Sequence, residues 1–240
     1  MAAGSPWRKL GATVRPTVFL FDIDGTLVDA GGAGRRAFVG AFTAVVGRPD
    51  ACNFSFAGMT DPAIARRGLR SIGHPGDDAA VEAVLAAYVD RLPPELAAAE
   101  RYRVHPGARE IAEALGAERR HAVGLGTGNL ERGAYEKLRR GGLDGLFAFG
   151  GFGSDAEDRP SLVRVGARRG AARLGVELEA CRVVVVGDTT KDVAAARAIG
   201  AECLAVRTGG TPGEVLAAAG ATVVVHDLAA PEALAFLEGR

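Results

Sequence analysis

The chain has 240 residues, is 48% hydrophobic, and balances 29 Lys and Arg against 29 Asp and Glu. A net charge of zero supplies no field for a nucleic acid or an anionic membrane surface, and no apolar run approaches the roughly 20 residues of a membrane span. Cys52, Cys181 and Cys203 are few, odd in number and without C-x-x-C spacing, which argues against a disulfide framework or zinc site and suits free core thiols in a reducing cytoplasm.

In chain order, residues 1–16 carry basic residues but no apolar h-region, and read as a poorly ordered tail that includes Trp7. Short apolar runs then follow at Val18–Phe21, Ala122–Gly126, Leu146–Phe149, Val183–Gly187, Cys203–Val206 and Val223–Val225. Their continuous hydrophobicity predicts parallel strands covered on both faces. Helical patterns lie between them at Ala108–Leu115, Arg132–Arg140, Ser161–Leu174, Val193–Ile199 and Pro212–Ala219. Strand and helix alternate from residue 104 onward, which predicts an α/β fold with a doubly wound parallel sheet.

One segment breaks the alternation. Residues 30–103 hold three amphipathic patterns, RRAFVGAFTAVVG, DPAIARRGLRSIG and DDAAVEAVLAAYVDRL, and no convincing strand. A helical cap of about 70 residues is therefore expected between the core segments 17–29 and 104–240. Gly31, Gly32 and Gly34 stand at its beginning and His105-Pro106-Gly107 at its end, where turns and hinges belong. An insertion at the carboxyl end of a sheet strand overlies the ligand crevice of an open α/β fold, as a lid would.

Three pieces converge on that crevice. The first strand runs into Asp22, Asp24 and Asp29. Carboxylates so close to an apolar interior repel and lose hydration, and a bound cation relieves both penalties. The stretch GLGTGNL brings Thr127, Gly128 and Asn129 to the end of another strand, where a hydroxyl and free N–H groups at a helix start suit a phosphate. The stretch VGDTTKD places Asp188 at a third strand end with Asp192 four residues on, although an Asp near a helix start also serves as a cap. In a parallel sheet these ends share one edge, and carboxylates with open water positions fit Mg²⁺.

D-x-D-G-T at 22–26, the strand-end Thr127 and G-D-T-x-x-D at 187–192 resemble motifs of the haloacid dehalogenase superfamily, and within it the phosphoglycolate phosphatase-like hydrolases with a helical type 1 cap. The resemblance implies a Rossmannoid core and a Mg²⁺-dependent phosphatase for a small phosphorylated metabolite, acting as a monomer or homodimer. It implies Asp22 as nucleophile, forming an aspartyl-phosphate, and Asp24 as general acid and then base. Mg²⁺ would bridge Asp22, the Asp24 carbonyl, Asp188 and the phosphate, with Asp192 steadying the metal shell. Thr127 and nearby N–H groups would bind phosphoryl oxygens, and Gly25, Thr26, Gly128 and Asn129 are the substrate-binding candidates beside it, Gly25 also permitting the tight turn. The third motif departs from the usual Lys: Arg159 precedes Pro160 where that Lys is expected, and Lys137 is the other candidate cation. Arg35 and Arg36, with Thr60-Asp61, are the candidate substrate contacts of the cap. A phosphomutase, a dehalogenase, a receiver-type phospho-acceptor module and a degenerate binding protein are the alternatives. Asp24 disfavours the dehalogenase, and the cap disfavours the phospho-acceptor.

Overall fold

The computed structural model describes residues 15–239. The chain forms β1 (Thr17–Phe21), β2 (Val28–Asp29), α1 (Ala33–Val46), α2 (Asp61–Ser71), α3 (Asp78–Ala97), β3 (Arg103–Val104), α4 (Ala108–Gly116), β4 (His121–Gly126), α5 (Glu131–Arg140), β5 (Gly150–Gly151), α6 (Arg159–Leu174), β6 (Arg182–Gly187), α7 (Thr190–Ala198), β7 (Glu202–Val206), α8 (Gly213–Ala218), β8 (Val223–Val225) and α9 (Pro231–Leu237). Six strands make one parallel sheet in the order β5-β4-β1-β6-β7-β8.

The sheet is apolar on both faces because each face is covered by helices. Alternate side chains of β1 divide between them. Phe19 and Phe21 join one core with α4, α5 and α9, while Val18 and Leu20 join the other with α6, α7 and α8. This is the doubly wound arrangement expected from the alternation of elements. Chain order reverses beside β1, so the carboxyl ends of β1, β4 and β6 frame one crevice.

Helices α1, α2 and α3 pack around a separate apolar cluster that includes Phe38, Phe42, Ile64, Leu69, Val84 and Leu92. Two thin strands, β2 and β3, pair antiparallel where this helical unit leaves and rejoins the sheet. Helix α3 continues through Pro93 and Pro94, beyond the expected end at Leu92, because Leu92 and Leu96 are buried in that cluster. Cys52, Cys181 and Cys203 are free and buried.

Three expectations need correction. The run Leu146–Phe149 is not the strand: Asp144–Leu146 is a 3-10 turn and the ladder pairs only Gly150 and Gly151 with β4. Phe147 and Phe149 are nevertheless buried on opposite faces, so the apolar signal reports burial beside the sheet rather than pairing. The last residues of the expected tail are attached: the Arg15 guanidinium donates to the carbonyls of Glu179 and Cys181, and the Pro16 carbonyl accepts from the Arg182 N–H. Trp7 lies outside the described residues. Helix α9 was not anticipated, being short and capped by no side chain.

Candidate active site

The crevice is a cleft of about 410 Å³ between the sheet edge and the helical cap. Strand β1 delivers Asp22 to its floor, held by the Asp22 N–H donating to the Val186 carbonyl at 2.8 Å. The chain then turns through Gly25, whose φ of 82° lies in the left-handed region. A Cβ there would stand 2.6 Å from Asp188 Oδ2, so glycine is required sterically as well. The turn brings Asp24 into the same cleft, against Lys137. Thr208, in the loop after β7, braces it by donating to the Gly25 carbonyl at 2.5 Å.

Each candidate cation takes a different carboxylate. Arg159 opens α6, behind the Asp158 cap, and its Nη2 lies 2.7 Å from Asp22 Oδ2 and 2.6 Å from Asp192 Oδ1. Both contacts are ion pairs off the line of a good hydrogen bond, which leaves Arg159 Nη2 and Asp192 Oδ1, like Arg159 Nε, without hydrogen-bond partners among the described residues. Lys137, on α5, donates to Asp24 Oδ2 at 2.6 Å and to Asn129 Oδ1 at 2.5 Å. The sequence left the two as alternatives, and the structure seats both in the cleft.

Electrostatics follow from burial. Asp22 is pushed up to about 6, burial and the charges of Asp192 and Asp24 outweighing the pull of Arg159. Asp188 is pushed up to about 8 by burial and by the charges of Asp192 and Asp22. Burial acts on Asp24 in the same sense, but Lys137 and the Asn129 amide outweigh it and hold Asp24 below its usual range. Lys137 itself is raised, because Asp24 and Asp61 outweigh its own burial. Arg159 is likewise raised by Asp192 and Asp22 against its burial.

Among the described residues, Asp22, Asp188 and Asp192 form the one cluster fit for a metal, with ligand atoms within 4.8 Å of one another. Three carboxyls face a single guanidinium there, so the cluster carries excess negative charge that a divalent cation would neutralise. Oxygen ligands without His or Cys suit Mg²⁺. Asp192 contributes least directly, since its Oδ2 accepts from the Thr189 N–H and hydroxyl in a capping box at the start of α7. Asp188 Oδ1 accepts from the Thr26 hydroxyl at 3.3 Å, so Thr26 orients a carboxylate rather than facing the open cleft. The Asp24 side chain, turned to Lys137, is outside the cluster.

The expected phosphate cradle after β4 is narrower than anticipated. The N–H groups of Asn129, Leu130 and Glu131 donate to Thr127 Oγ1, Asp61 Oδ2 and Ser154 Oγ. The helix start is thus already occupied by protein acceptors. Gly128 N–H and the Thr127 hydroxyl remain, with Asn129 Nδ2 bridging Thr127 Oγ1 and Asp24 Oδ2.

The cap residues separate. Arg35 lines the cleft, stacked 4.0 Å over Phe56 and donating to the carbonyls of Cys52 and Phe54. No carboxylate among the described residues pairs with it. Arg36 does not reach the cleft: it pairs with Glu95 at 2.7 Å and donates to the Gly31 carbonyl. Adjacent residues on a helix point about 100° apart, so one of the two had to turn away. Thr60 and Asp61 bind protein rather than an open site. Thr60 Oγ1 donates to the Glu157 carbonyl, the Asp61 N–H donates to the Gly128 carbonyl at 2.7 Å, and Asp61 Oδ2 accepts from Leu130. These contacts latch the cap onto the core. Burial pushes Asp61 up to about 7 against the attraction of Lys137.

Sequence reasoning missed the loop Thr208–Thr211 as part of the cleft, although it follows a buried strand on the same sheet edge. It also passed over Tyr88 and took His105 only as part of the turn that ends the cap. His105 is 5% exposed, lines the cleft and carries an Nε2 without a partner among the described residues.

Residues 16–200 match the haloacid dehalogenase-like hydrolase family. The chain is 30% identical to a phosphoglycolate phosphatase of Pseudomonas syringae pv. syringae, over 93% of this chain and 81% of that protein. A solved hydrolase from Pseudomonas syringae superposes with a TM-score of 0.67 at 24% identity, covering 89% of this chain and 94% of the other. CbbY from Rhodobacter sphaeroides, solved with phosphate, superposes with a TM-score of 0.68 at 19% identity, covering 90% and 96%.

Proposed function

The chain belongs to the haloacid dehalogenase-like hydrolases, and from that membership we propose that it is a Mg²⁺-dependent phosphatase of a small phosphate monoester, working through an aspartyl-phosphate on Asp22. The observation that carries this reading is the pairing of Asp22 with Arg159 beside Asp188, with the Asp24–Lys137 pair lining the same cleft.

Asp22 Oδ attacks phosphorus, a P–O bond to the carboxylate forms, and the ester P–O bond breaks. Arg159 holds Asp22 for in-line approach and offsets charge gathering on the phosphoryl oxygens. Gly128 N–H and the Thr127 hydroxyl bind those oxygens. Asp24 protonates the departing oxygen, then takes a proton from the water that attacks the aspartyl-phosphate, which releases phosphate and restores Asp22. Lys137 keeps Asp24 ionised before substrate arrives. A phosphate dianion alongside raises the Asp24 pKa, because like charges favour the neutral acid, so Asp24 takes up a proton from solvent as the ester binds and holds it for the departing oxygen. The proton later drawn from the attacking water returns to solvent when phosphate leaves. Mg²⁺, held by Asp22 and Asp188 with Asp192 steadying the arrangement, would supply charge neutralisation of the phosphoryl group.

The uncompensated Arg35 on the cap side favours an ester whose alcohol half carries a negative charge. The phosphoglycolate phosphatase relative agrees with that chemistry. The test is phosphate release from a panel of monoesters with Mg²⁺, including 2-phosphoglycolate. Release from small esters that a chelator abolishes is the expected result. Isomerisation of sugar phosphates without net release, or inertness toward every ester, would overturn the reading.

A further inference from the structure

The cap side of the cleft holds one polar group that this chemistry leaves unused. Tyr88, on α3, is 1% exposed and lines the cleft. Its ring stacks on Phe38, centroids 3.9 Å apart and planes 13° from parallel, so its position is set by packing. Its hydroxyl hydrogen-bonds no described residue. The hydroxyl opens onto the cleft, and phenylalanine would fill the same stack without it.

The surroundings show where the hydroxyl points. A Cβ on Gly34 of α1 would stand 3.9 Å from the Tyr88 oxygen and 3.7 Å from Lys137 Nζ. A Cβ on Gly133 of α5 would stand 3.9 Å from the same oxygen. Gly34 thus adds no side chain between the phenol and Lys137, the partner of Asp24, and Gly133 adds none against the phenol oxygen. Asp61 and Asp24 lie near enough to act on the phenol and, with its burial, keep it protonated. In that state it offers a proton to an acceptor.

We propose that Tyr88 is a specificity-determining residue whose hydroxyl donates to an oxygen on the alcohol half of the phosphate ester. The inference rests on the phosphatase reading and refines it: the preferred substrates are esters of small, oxygen-bearing alcohols. The hydrogen bond forms on substrate binding and moves no proton in the reaction, so it acts on selection rather than on the chemical step.

Size-matched probes isolate the effect. 2-Hydroxyethyl phosphate and ethyl phosphate differ by one hydroxyl, and 2-phosphoglycolate adds a carboxylate. The measured quantity is the kcat/KM ratio of each oxygen-bearing ester to ethyl phosphate, in the parent and in Tyr88→Phe, with thermal unfolding as the fold control. We expect Tyr88→Phe to cut the ratio roughly 10- to 100-fold, mainly through KM. A ratio within twofold of the parent overturns the proposal. So does an equal loss on all three esters, which would assign the hydroxyl to the support of Lys137. If the parent hydrolyses none of the esters, the phosphatase reading falls and takes this inference with it; turnover with an unchanged ratio removes the role of Tyr88 alone.

Discussion

Replacing Arg159 by methionine separates the two cations of the cleft. Arg159 is 7% exposed and lies between Asp22 and Asp192, whose side chains are 7% and 1% exposed. Its loss strands two carboxylates that are largely shielded from water. Removing one partner of a buried ion pair destabilises by about 3–5 kcal/mol. At about 2–4 °C per kcal/mol for a chain of this size, metal-free Arg159→Met should unfold about 6–20 °C below the parent. Lys137 is equally buried, but its partner Asp24 is 46% exposed and turns to solvent once freed. Lys137→Met should therefore lose less stability than Arg159→Met. For activity, loss of a cation that acts on the transferring phosphoryl group should lower kcat by about 10²–10³. Arg159→Lys should recover part of this, since a point charge replaces the planar fork. The assay is thermal unfolding without metal, paired with phosphate release at saturating ester and Mg²⁺. An Arg159→Met protein melting within about 2 °C of the parent and retaining kcat within threefold would refute the reasoning. An inactive Lys137→Met beside an active Arg159→Met would move the phosphoryl cation to α5.

Other outcomes follow from the same geometry. Asp188 titrates near 8 in the folded protein against 3.8 for an ordinary carboxyl, so its contribution favours the fold at low pH and is lost as pH rises through about 8. Metal-free Asp188→Asn should thus be more stable than the parent at pH 8, with the difference vanishing near pH 4; a difference independent of pH would contradict this. Mg²⁺ at 100 times its Kd should stabilise the parent by about 2.7 kcal/mol and Asp188→Asn by much less, read as a shift in Tm. Asp24→Asn should slow turnover by roughly 10²–10⁴, with a smaller loss on 4-nitrophenyl phosphate, whose leaving group needs little protonation. Equal losses on all leaving groups would point away from an acid role. Arg35→Met should raise KM for 2-phosphoglycolate, whereas Arg36→Ala, which loses an exposed pair with Glu95, should leave kcat/KM within about twofold.

The convergence of Asp22, Asp188 and Thr127 was legible because each ends a continuously apolar run, and such runs place their carboxyl ends on one edge of a parallel sheet. Asp192 carried a double signal: the capping half is seen, since its Oδ2 accepts from Thr189 at the start of α7, while its Oδ1 faces Arg159 beside the other carboxylates. The allocation of Arg159 and Lys137 to different acids was not legible, since it depends on how α5 and α6 are laid across opposite faces of the sheet. The cap was legible as helices but not as a surface. Nothing in the repeated arginines at 35 and 36 tells which one faces the cleft until the axis of α1 is known. Tyr88 reads in sequence as one more apolar position of an amphipathic helix, and only its place over Gly34 gives the hydroxyl meaning. The run Leu146–Phe149 misled because burial of alternate residues is shared by strands and by the loops that pack against them.

The central claim is that phosphorus passes through Asp22 before it reaches water. The stereochemical course at phosphorus tests this most directly, using a monoester made chiral with oxygen isotopes and hydrolysed with Mg²⁺. Two in-line displacements, first by Asp22 and then by water, invert twice, so the released phosphate should show net retention. Net inversion would mean that water attacks the ester in a single step, and would contradict the account.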